Sequence, residues 1–380
     1  MRVAIFGGGY AGVNVARRLE RSLSSDDELL VVDESGTHVV RHLLHRAIRR
    51  PEGLGDLTLT LDDLFDRATV REARVTDLDA ETGVATLADG ETIEYDVGAV
   101  CIGSEPAFYG LDGVAEHAIT LHRPGDPQAV RTSFLDALAD GGRTVIGGGG
   151  LTGVQVAGEL AALAAERGGA DRLDLRLLEQ ADAVPPGYDD RLQSAVQDAL
   201  AGTGVTVETG VTITGASADR IQVAGGDPVE YDCLVWTGGI AGASALGDER
   251  PDVRATLRLG DRTFALGDAV RVIDADGRVV PATAQAATGQ ASVAAANLST
   301  LLEHRRSGGG DFEPRLDRYR HDDAGWTISV GDEAVAKVGP KVLTGAAAAG
   351  VKTLVGAEYL SRIGAAREAL KHVGDAIAEE

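Results

Sequence analysis

The segments GGGYAGVNVARRL at Gly7–Leu19 and GGGLTGVQVAGEL at Gly148–Leu160 nearly match, and this duplication constrains the fold more than any other feature of the chain. Aligning Gly7 with Gly148 superposes Gly9 on Gly150, Gly12 on Gly153, Val13 on Val154, Val15 on Val156, Ala16 on Ala157 and Leu19 on Leu160. Each copy follows a short apolar run, VAIF at Val3–Phe6 or TVIG at Thr144–Gly147, and leads into a helical pattern. Strand, glycine-rich turn and helix are the context in which G-x-G-x-x-G cradles a pyrophosphate. The first glycine permits the tight turn, the second lets backbone amides approach the anion, and the third lets helix and strand pack closely. The positive end of the helix then faces the phosphates. Cofactor-binding positions are therefore expected at Gly7, Gly9, Tyr10, Ala11 and Gly12, and again at Gly148, Gly150, Thr152 and Gly153.

Each copy also leads to a second strand that closes on an acid, LLVVDE at Asp33 and LDLRLLE at Glu179. A carboxylate there accepts hydrogen bonds from ribose hydroxyls and repels a 2′-phosphate. Asp33 thus suits the ribose of one dinucleotide, and Glu179 favours NADH over NADPH at the other. Arg176, three residues earlier, reads as a solvent-facing strand side chain. Two dinucleotide sites in one chain imply hydride transfer between their reactive rings, and the natural pair is a nicotinamide and a flavin. Such transfer needs mainly alignment of the rings, so the lack of an acid–base dyad is no obstacle.

Both halves continue on one plan. DLDAETGVATLADGETIEYDVGAVCIG reads as hairpin strands feeding a buried strand, and VTVETGVTITGASADRIQVAGGDPVEYDCLVWTGG repeats that layout. The expected fold class is α/β, with two Rossmann-like three-layer dinucleotide-binding domains, one inserted in the other, and a small C-terminal α+β domain. The boundaries read as 1–120 with 250–310 for the first, 121–249 for the second and 311–380 for the last, beyond a glycine-rich break at 307–310. A long helical pattern at 283–302 precedes that break, and WTISVG and EAVAKVG read as strands after it.

Charge narrows the partners. The net charge of −23, from 36 Lys+Arg against 59 Asp+Glu, excludes nucleic acid, whose phosphates need a basic footprint. The only lysines are Lys337, Lys341, Lys352 and Lys371, and an acidic, lysine-poor surface resembles that of proteins from salt-loving archaea. The first strand begins almost at the initiator methionine, so no secretory signal and a cytoplasmic location are expected. No apolar run reaches the ~18 residues of a spanning helix.

These motifs resemble, over residues 1 to 300 or so, the type II NADH:quinone dehydrogenases of the two-dinucleotide flavoprotein superfamily. TFALGDAV at Thr263–Val270 is similar to the family element bearing Gly267 and Asp268, whose aspartate bonds the flavin's ribityl chain. LVWTGG resembles the return strand whose end, at Gly238, approaches the nicotinamide cofactor, and VCIG, ending at Gly103, resembles its equivalent beside the flavin pyrophosphate. PATAQAA is similar to the segment whose alanine–glutamine pair, here Ala284 and Gln285, lies beside the flavin ring near the quinone entry. THVVRHLLHRA is similar to the stretch that lays two leucines over the flavin. The resemblance implies FAD and NADH as cofactors, a quinone as acceptor, and no proton pumping.

The chain departs from that pattern at three positions. Gln155 stands where relatives carry a glutamate, Gly289 where they carry a second glutamine, and His42 where they carry a proline. Glu159, one helical turn beyond Gln155, shares its face and can still point toward the meeting place of the two rings. Glu159 and Gln285 are therefore the catalytic candidates, the other reading of Glu159 being a solvated helix residue.

Cys101 and Cys233 lie in separate apolar runs with no C-x-x-C spacing, so they read as buried thiols and speak against the sulfide:quinone and disulfide-reducing branches. His38, His42 and His45 fall at i, i+4 and i+7, but no cysteine or carboxylate accompanies them, so a flavin-wall or helix-surface role is expected and no metal. Between Lys337 and Lys371 six basic residues face two acidic ones, while Val351, Leu354, Val355, Tyr359, Ile363, Ala366 and Leu370 recur at helical spacing. This basic amphipathic tail reads as an anchor on the cytoplasmic face of the membrane, near a lipid-borne quinone, or as a packing or homodimer helix. Two other functions stay open: a soluble NADH reductase with a protein or small-molecule acceptor, and a non-catalytic redox sensor that binds both nucleotides.

Overall fold

The first half of the chain runs through β1 (Arg2–Phe6), α1 (Tyr10–Leu19), β2 (Glu28–Asp33), β3 (Thr69–Glu72) and β4 (Val97–Val100). The second runs through β5 (Arg143–Gly147), α2 (Leu151–Glu166), β6 (Asp174–Glu179), β7 (Val205–Thr209) and β8 (Cys233–Trp236). The chain then passes through β9 (Thr263–Ala265) and α3 (Ala284–Arg306). It ends in β10 (Trp326–Val330), β11 (Glu333–Val338), β12 (Lys341–Thr344), α4 (Gly345–Arg362) and α5 (Ala366–Ala378). The computed structural model describes residues 1–308, 313–323 and 325–378, so part of the glycine-rich break read at 307–310 lies outside the described residues.

Two parallel sheets carry the two halves, in the orders β9-β4-β1-β2-β3 and β7-β6-β5-β8. Parallel strands are joined by crossovers that cover both faces of a sheet, which is why the motif strands are continuously apolar. Val3, Ala4, Ile5 and Phe6 of β1 are all fully buried, as are Val145 and Ile146 of β5. The first sheet closes late: Thr263, Phe264 and Ala265 of β9 pair with Gly98, Ala99 and Val100 of β4 after the whole second sheet has been laid down. A three-stranded antiparallel sheet follows the first three strands of each half, over residues 75–94 and 213–230. The α/β class, the duplicated nucleotide fold and the interruption of the first by the second are thus as the motif context predicts.

The C-terminal segment differs from its sequence reading. A third strand, β12, completes an antiparallel sheet with β10 and β11, and this sheet packs on α2. Ile328, Val330 and Val335 join the core of the second half, and a Cβ on Gly158 of α2 would lie 2.3 Å from the Gly331 nitrogen. Beyond it, α4 and α5 return to the first half, where Leu360, Ile363, Ala365 and Ala369 enter the core beside α1 and α3. A fully buried aliphatic side chain contributes about 1.5–3 kcal/mol, so Leu360 and Ile363 alone fasten the tail firmly.

The expected single apolar stripe is therefore divided. Ile363 is fully buried and Tyr359 points inward, while Leu354 and Leu370 stay 68% and 77% exposed. Gly364, at φ +93, follows α4 and redirects the chain, so the apolar residues are shared between two helices. The basic side chains are divided too: Lys337 pairs with Asp189, Lys371 with Asp56, and Lys352 turns inward. The three histidines do not share a helix face either, because a strand (Thr37–Val39), a 3-10 turn (Arg41–Leu43) and a short helix (Arg46–Arg49) follow one another there.

The close seat of β10–β11 on α2 is testable. Gly158→Ala drives a methyl into backbone that cannot yield, with an expected loss of about 1–3 kcal/mol in urea unfolding. Gly350→Ala, at an open position of α4, should leave the midpoint unchanged or raise it.

Candidate active site

The two glycine loops share one backbone design. Gly7 and Gly148 take φ of +105 and +108, conformations that side chains avoid. A Cβ on Gly12 would lie 1.8 Å from the Gly7 carbonyl oxygen, and one on Gly153 would lie 1.9 Å from that of Gly148, so the third glycine is required by contact with the first. Gly9 and Gly150, by contrast, have open space where a side chain would be. Each is an extended N-cap residue, and no side chain caps either helix. The first-turn N–H groups of α1 and α2, at Tyr10, Ala11 and Gly12 and at Leu151, Thr152 and Gly153, therefore open toward space an anion can fill.

Asp33 and Glu179 brace these loops, which the sequence reading did not foresee. The Gly8 N–H donates to Asp33 Oδ2 at 2.7 Å, and the Gly149 N–H donates to Glu179 Oε2 at 2.6 Å. The other oxygen of each acid takes a donor from the turn that follows, Ser35 at 2.9 Å or Ala181 at 2.9 Å. Asp33 remains partly exposed, whereas Glu179 is buried beneath Gly149 and Val184. Arg176 is partly buried between Asp174 and Glu208 rather than free in solvent.

Between the loops, α2 presents Gln155 and Glu159 to the residues that follow β3's neighbour β2 and to the C-terminal sheet. Glu159 is buried, not solvated: Arg49 Nε lies 3.1 Å from its carboxylate, and Arg49 Nη1 reaches Asp332, which is 83% exposed, at 2.6 Å. Burial pushes the Glu159 carboxyl up to about 7 against the pull of Arg49 and Lys352. Gln155 Nε2 lies 3.3 Å from His45 Nε2, which in turn stands 2.8 Å from Ser329 Oγ and 3.1 Å from Lys352 Nζ. Burial, reinforced by Arg46, brings the Lys352 amine down to about 7.

On the side of the first loop, a narrow cleft is lined by Arg250, Gly267, Asp268, Thr283, Ala287 and Gln290. Burial raises the Asp268 carboxyl, while Arg250 and Arg41 oppose that shift. The Gly267 N–H donates to Gln290 Oε1 at 2.7 Å. Ala284 opens α3, but Gln285 beside it turns away, its Nε2 donating to the Asp322 carbonyl at 3.1 Å. Gly103, at φ +75, follows β4, and Arg41 Nη1 lies 4.0 Å from where its side chain would begin. Gly238 lies over Trp236, whose ring would be 2.4 Å from a Cβ there, and its carbonyl accepts from the Tyr109 hydroxyl at 3.0 Å.

Residues 1–291 match the pyridine nucleotide-disulphide oxidoreductase family. The chain belongs to this family. Its similar relatives include proteins named type II NADH:quinone oxidoreductase from Staphylococcus saprophyticus, 23% identical with 96% of each chain covered, and from Haemophilus influenzae, 25% identical with 86% of this chain and 84% of that one covered. Among solved structures, NDH2 from Plasmodium falciparum in complex with NADH superposes with a TM-score of 0.82 at 13% identity, covering 98% of this chain and 97% of that one. The sulfide:quinone oxidoreductase of Aquifex aeolicus gives 0.79 at 17% identity, covering 97% of this chain and 92% of that one.

As a pyridine nucleotide-disulphide oxidoreductase, the chain has the nucleotide fold without a thiol pair. Cys101 follows β4 of the first sheet, Cys233 opens β8 of the second, and both are free and buried. Among the described residues no group of three His, Cys, Asp or Glu side chains is placed to hold a metal. The two uncapped loops and the family's nucleotide-binding fold fit FAD and NADH. Sequence reasoning missed Arg49, Arg250, Gln290, Ser329 and Tyr109. Tyr109 had no signal, since its φ of +51 and its bond to Gly238 depend on a strand far along the chain.

The shifted pair makes a pH prediction. The folded Glu159 keeps its proton up to about pH 7, so the stability it contributes is present below its unfolded value and is lost as pH rises through 7. The folded Lys352 sheds its proton from about pH 7, so its contribution is present above its unfolded value and is lost as pH falls through 7. Thermal midpoints measured against pH should therefore dip near neutrality, and the double variant Glu159→Gln/Lys352→Met should lack that dip.

Proposed function

We propose that this chain is an FAD-dependent NADH:quinone oxidoreductase that pumps no protons. The observation that carries this reading is the pair of glycine loops, alike in backbone and uncapped, in a chain without a thiol pair. The names of curated relatives matched over nearly their whole length support the quinone as acceptor. The first nucleotide domain spans 1–120 with 250–310 and holds FAD; the second, 121–249, holds NADH; 311–380 forms the C-terminal part. When bound, FAD supplies the ring that takes a hydride from NADH and returns the electrons to the quinone.

The chain's own residues bind, orient and supply a proton. Gly7, Gly9, Tyr10, Ala11 and Gly12 present N–H groups to one pyrophosphate, and Gly148, Gly150, Thr152 and Gly153 to the other. Asp33 and Glu179 hold the loops in shape, and their charge disfavours a 2′-phosphate. Gly103, Gly267, Asp268 and Ala284 line the flavin side, and Gly238 the nicotinamide side. Gln285, oriented toward Asp322, belongs to the rim where the quinone enters. Reduction of a quinone by NADH consumes one proton beyond the hydride, and burial lets the Glu159 carboxyl carry one well above the usual carboxylate range. Arg49 and Asp332 link that carboxyl to the surface.

Among the described residues no helix is long and apolar enough to cross a membrane. The exposed Leu354, Val355 and Leu370 on α4 and α5 support docking on the cytoplasmic face of a membrane, where a lipid-borne quinone is within reach.

Anaerobic stopped-flow mixing tests the activity. NADH should bleach the flavin absorbance, and a soluble quinone should restore it. Bleaching without restoration would leave a soluble NADH reductase with another acceptor, and no bleaching would leave a redox sensor. Docking is tested by co-sedimentation with phosphatidylglycerol vesicles, which Leu354→Glu/Leu370→Glu should weaken about tenfold or more if both side chains insert.

A further inference from the structure

The two phosphate loops differ in which carbonyl a side chain holds: in the second, the Thr237 hydroxyl donates to the Gly148 carbonyl at 2.7 Å. In the first, His38 Nδ1 lies 2.9 Å from the Gly8 carbonyl oxygen, and the imidazole is fully buried. Among the described residues no side chain reaches the corresponding carbonyl of Gly149. A carbonyl only accepts, so Nδ1 carries the hydrogen. Burial pushes the ring's pKa down to about 4 and keeps it neutral, which leaves Nε2 as an acceptor. That acceptor faces the Tyr359 hydroxyl of α4 at 2.9 Å. Tyr359 therefore donates to His38, and His38 donates to Gly8.

The geometry of a trans peptide gives this relay a consequence. C=O and N–H lie in the peptide plane and point in opposite directions, so a Gly8 carbonyl held inward directs the Gly9 N–H outward. Gly9 is exposed, with no atom near the position of a Cβ, and opens α1 without a side-chain cap. The Gly7 N–H donates to the Val32 carbonyl at 2.7 Å and that of Gly8 to Asp33, so His38 restrains the one peptide of the turn that these bonds leave to rotate. Such restraint matters most between glycines, whose backbone has the widest freedom. Tyr10, the residue after Gly9, packs its ring 4.8 Å from Tyr359 and 5.2 Å from His38, which closes the cluster against water.

We propose that Tyr359 is a positioning residue for FAD: through His38 it fixes the Gly8–Gly9 peptide in the phosphate-accepting orientation, so the first loop retains its dinucleotide, while the second loop, where Thr237 holds the Gly148 carbonyl but no side chain among the described residues holds that of Gly149, exchanges its own. This rests on the assignment of FAD to the first loop. A resident flavin must survive many turnovers, whereas NAD must leave in each, and the difference between the loops matches that difference in duty.

The test is Tyr359→Phe, which removes one hydroxyl and keeps the ring. Holoenzyme diluted to nanomolar concentration should release FAD, read as the rise of free flavin fluorescence, about five- to tenfold faster than the natural protein, the change expected from one lost hydrogen bond. The NADH KM should stay within twofold, and the thermal midpoint at saturating FAD within about 2 °C. An unchanged release rate overturns the proposal. So does a rise in NADH KM by the same factor, which would mean general loosening. Should the natural protein bind no FAD at all, the assignment of the first loop fails instead, a result visible before any variant is made. His38→Asn, which breaks both bonds, should release FAD faster still, but Tyr359→Phe decides the matter without it.

Discussion

Two backbone N–H groups, those of Gly8 and Gly149, each end on a carboxylate at the tip of the neighbouring strand, and the geometry of both nucleotide sites depends on these bonds. An acid at that place ties the middle of the turn to the end of the sheet. The first glycine can then hold its positive φ, the third can touch the first, and the helix starts without a side-chain cap. Hydrogen bonds to an ionised acceptor are among the stronger ones, and a turn of three glycines has little else to restrain it. The same carboxylate is where the fingerprint expects a ribose, which would make bracing and recognition the duty of one side chain.

The second organising element is the C-terminal segment, which belongs to neither half alone. Its strands complete the core over α2, and its helices complete the core beside α1 and α3. It brings Ser329 and Lys352 to His45, and Tyr359 to His38. The polar groups between the two nucleotide loops are thus supplied by three distant stretches, around residues 38–49, 155–159 and 329–359. Glu159 and Lys352 can both sit near neutrality because that enclosure removes water from them while leaving opposite charges close by.

What could be read in the sequence follows from how local the signal is. The glycine loops, their strands and the acids at Asp33 and Glu179 were legible because strand, turn and helix are adjacent in the chain and each glycine has its own steric reason. Cys101 and Cys233 were legible as buried thiols from the apolar runs around them. Glu159 was legible as a candidate but not its partner, since Arg49 comes from the other half and a basic residue in HRAIRR gives no sign of where it points. The tail was legible only in part: a packing helix stood open beside the anchor, but spacing does not say that the chain turns at Gly364 and shares the apolar residues between two helices. Gln290 was not legible, because period alone does not say which face of α3 meets Gly267.

The chain holds only two tryptophans, and their placement gives the protein two built-in optical reporters. Trp236 lies beneath Gly147 and Gly238, its indole N–H donating to the Ala107 carbonyl at 2.7 Å. Trp326 opens the C-terminal sheet, its ring set edge-on to Tyr188 at 4.9 Å. One indole therefore sits at the end of the strand beside the second glycine loop, and the other at the seam where the C-terminal segment joins that half. Replacing either by phenylalanine leaves a single emitter, so nucleotide binding and movement of the tail can be followed by their own light, without a label.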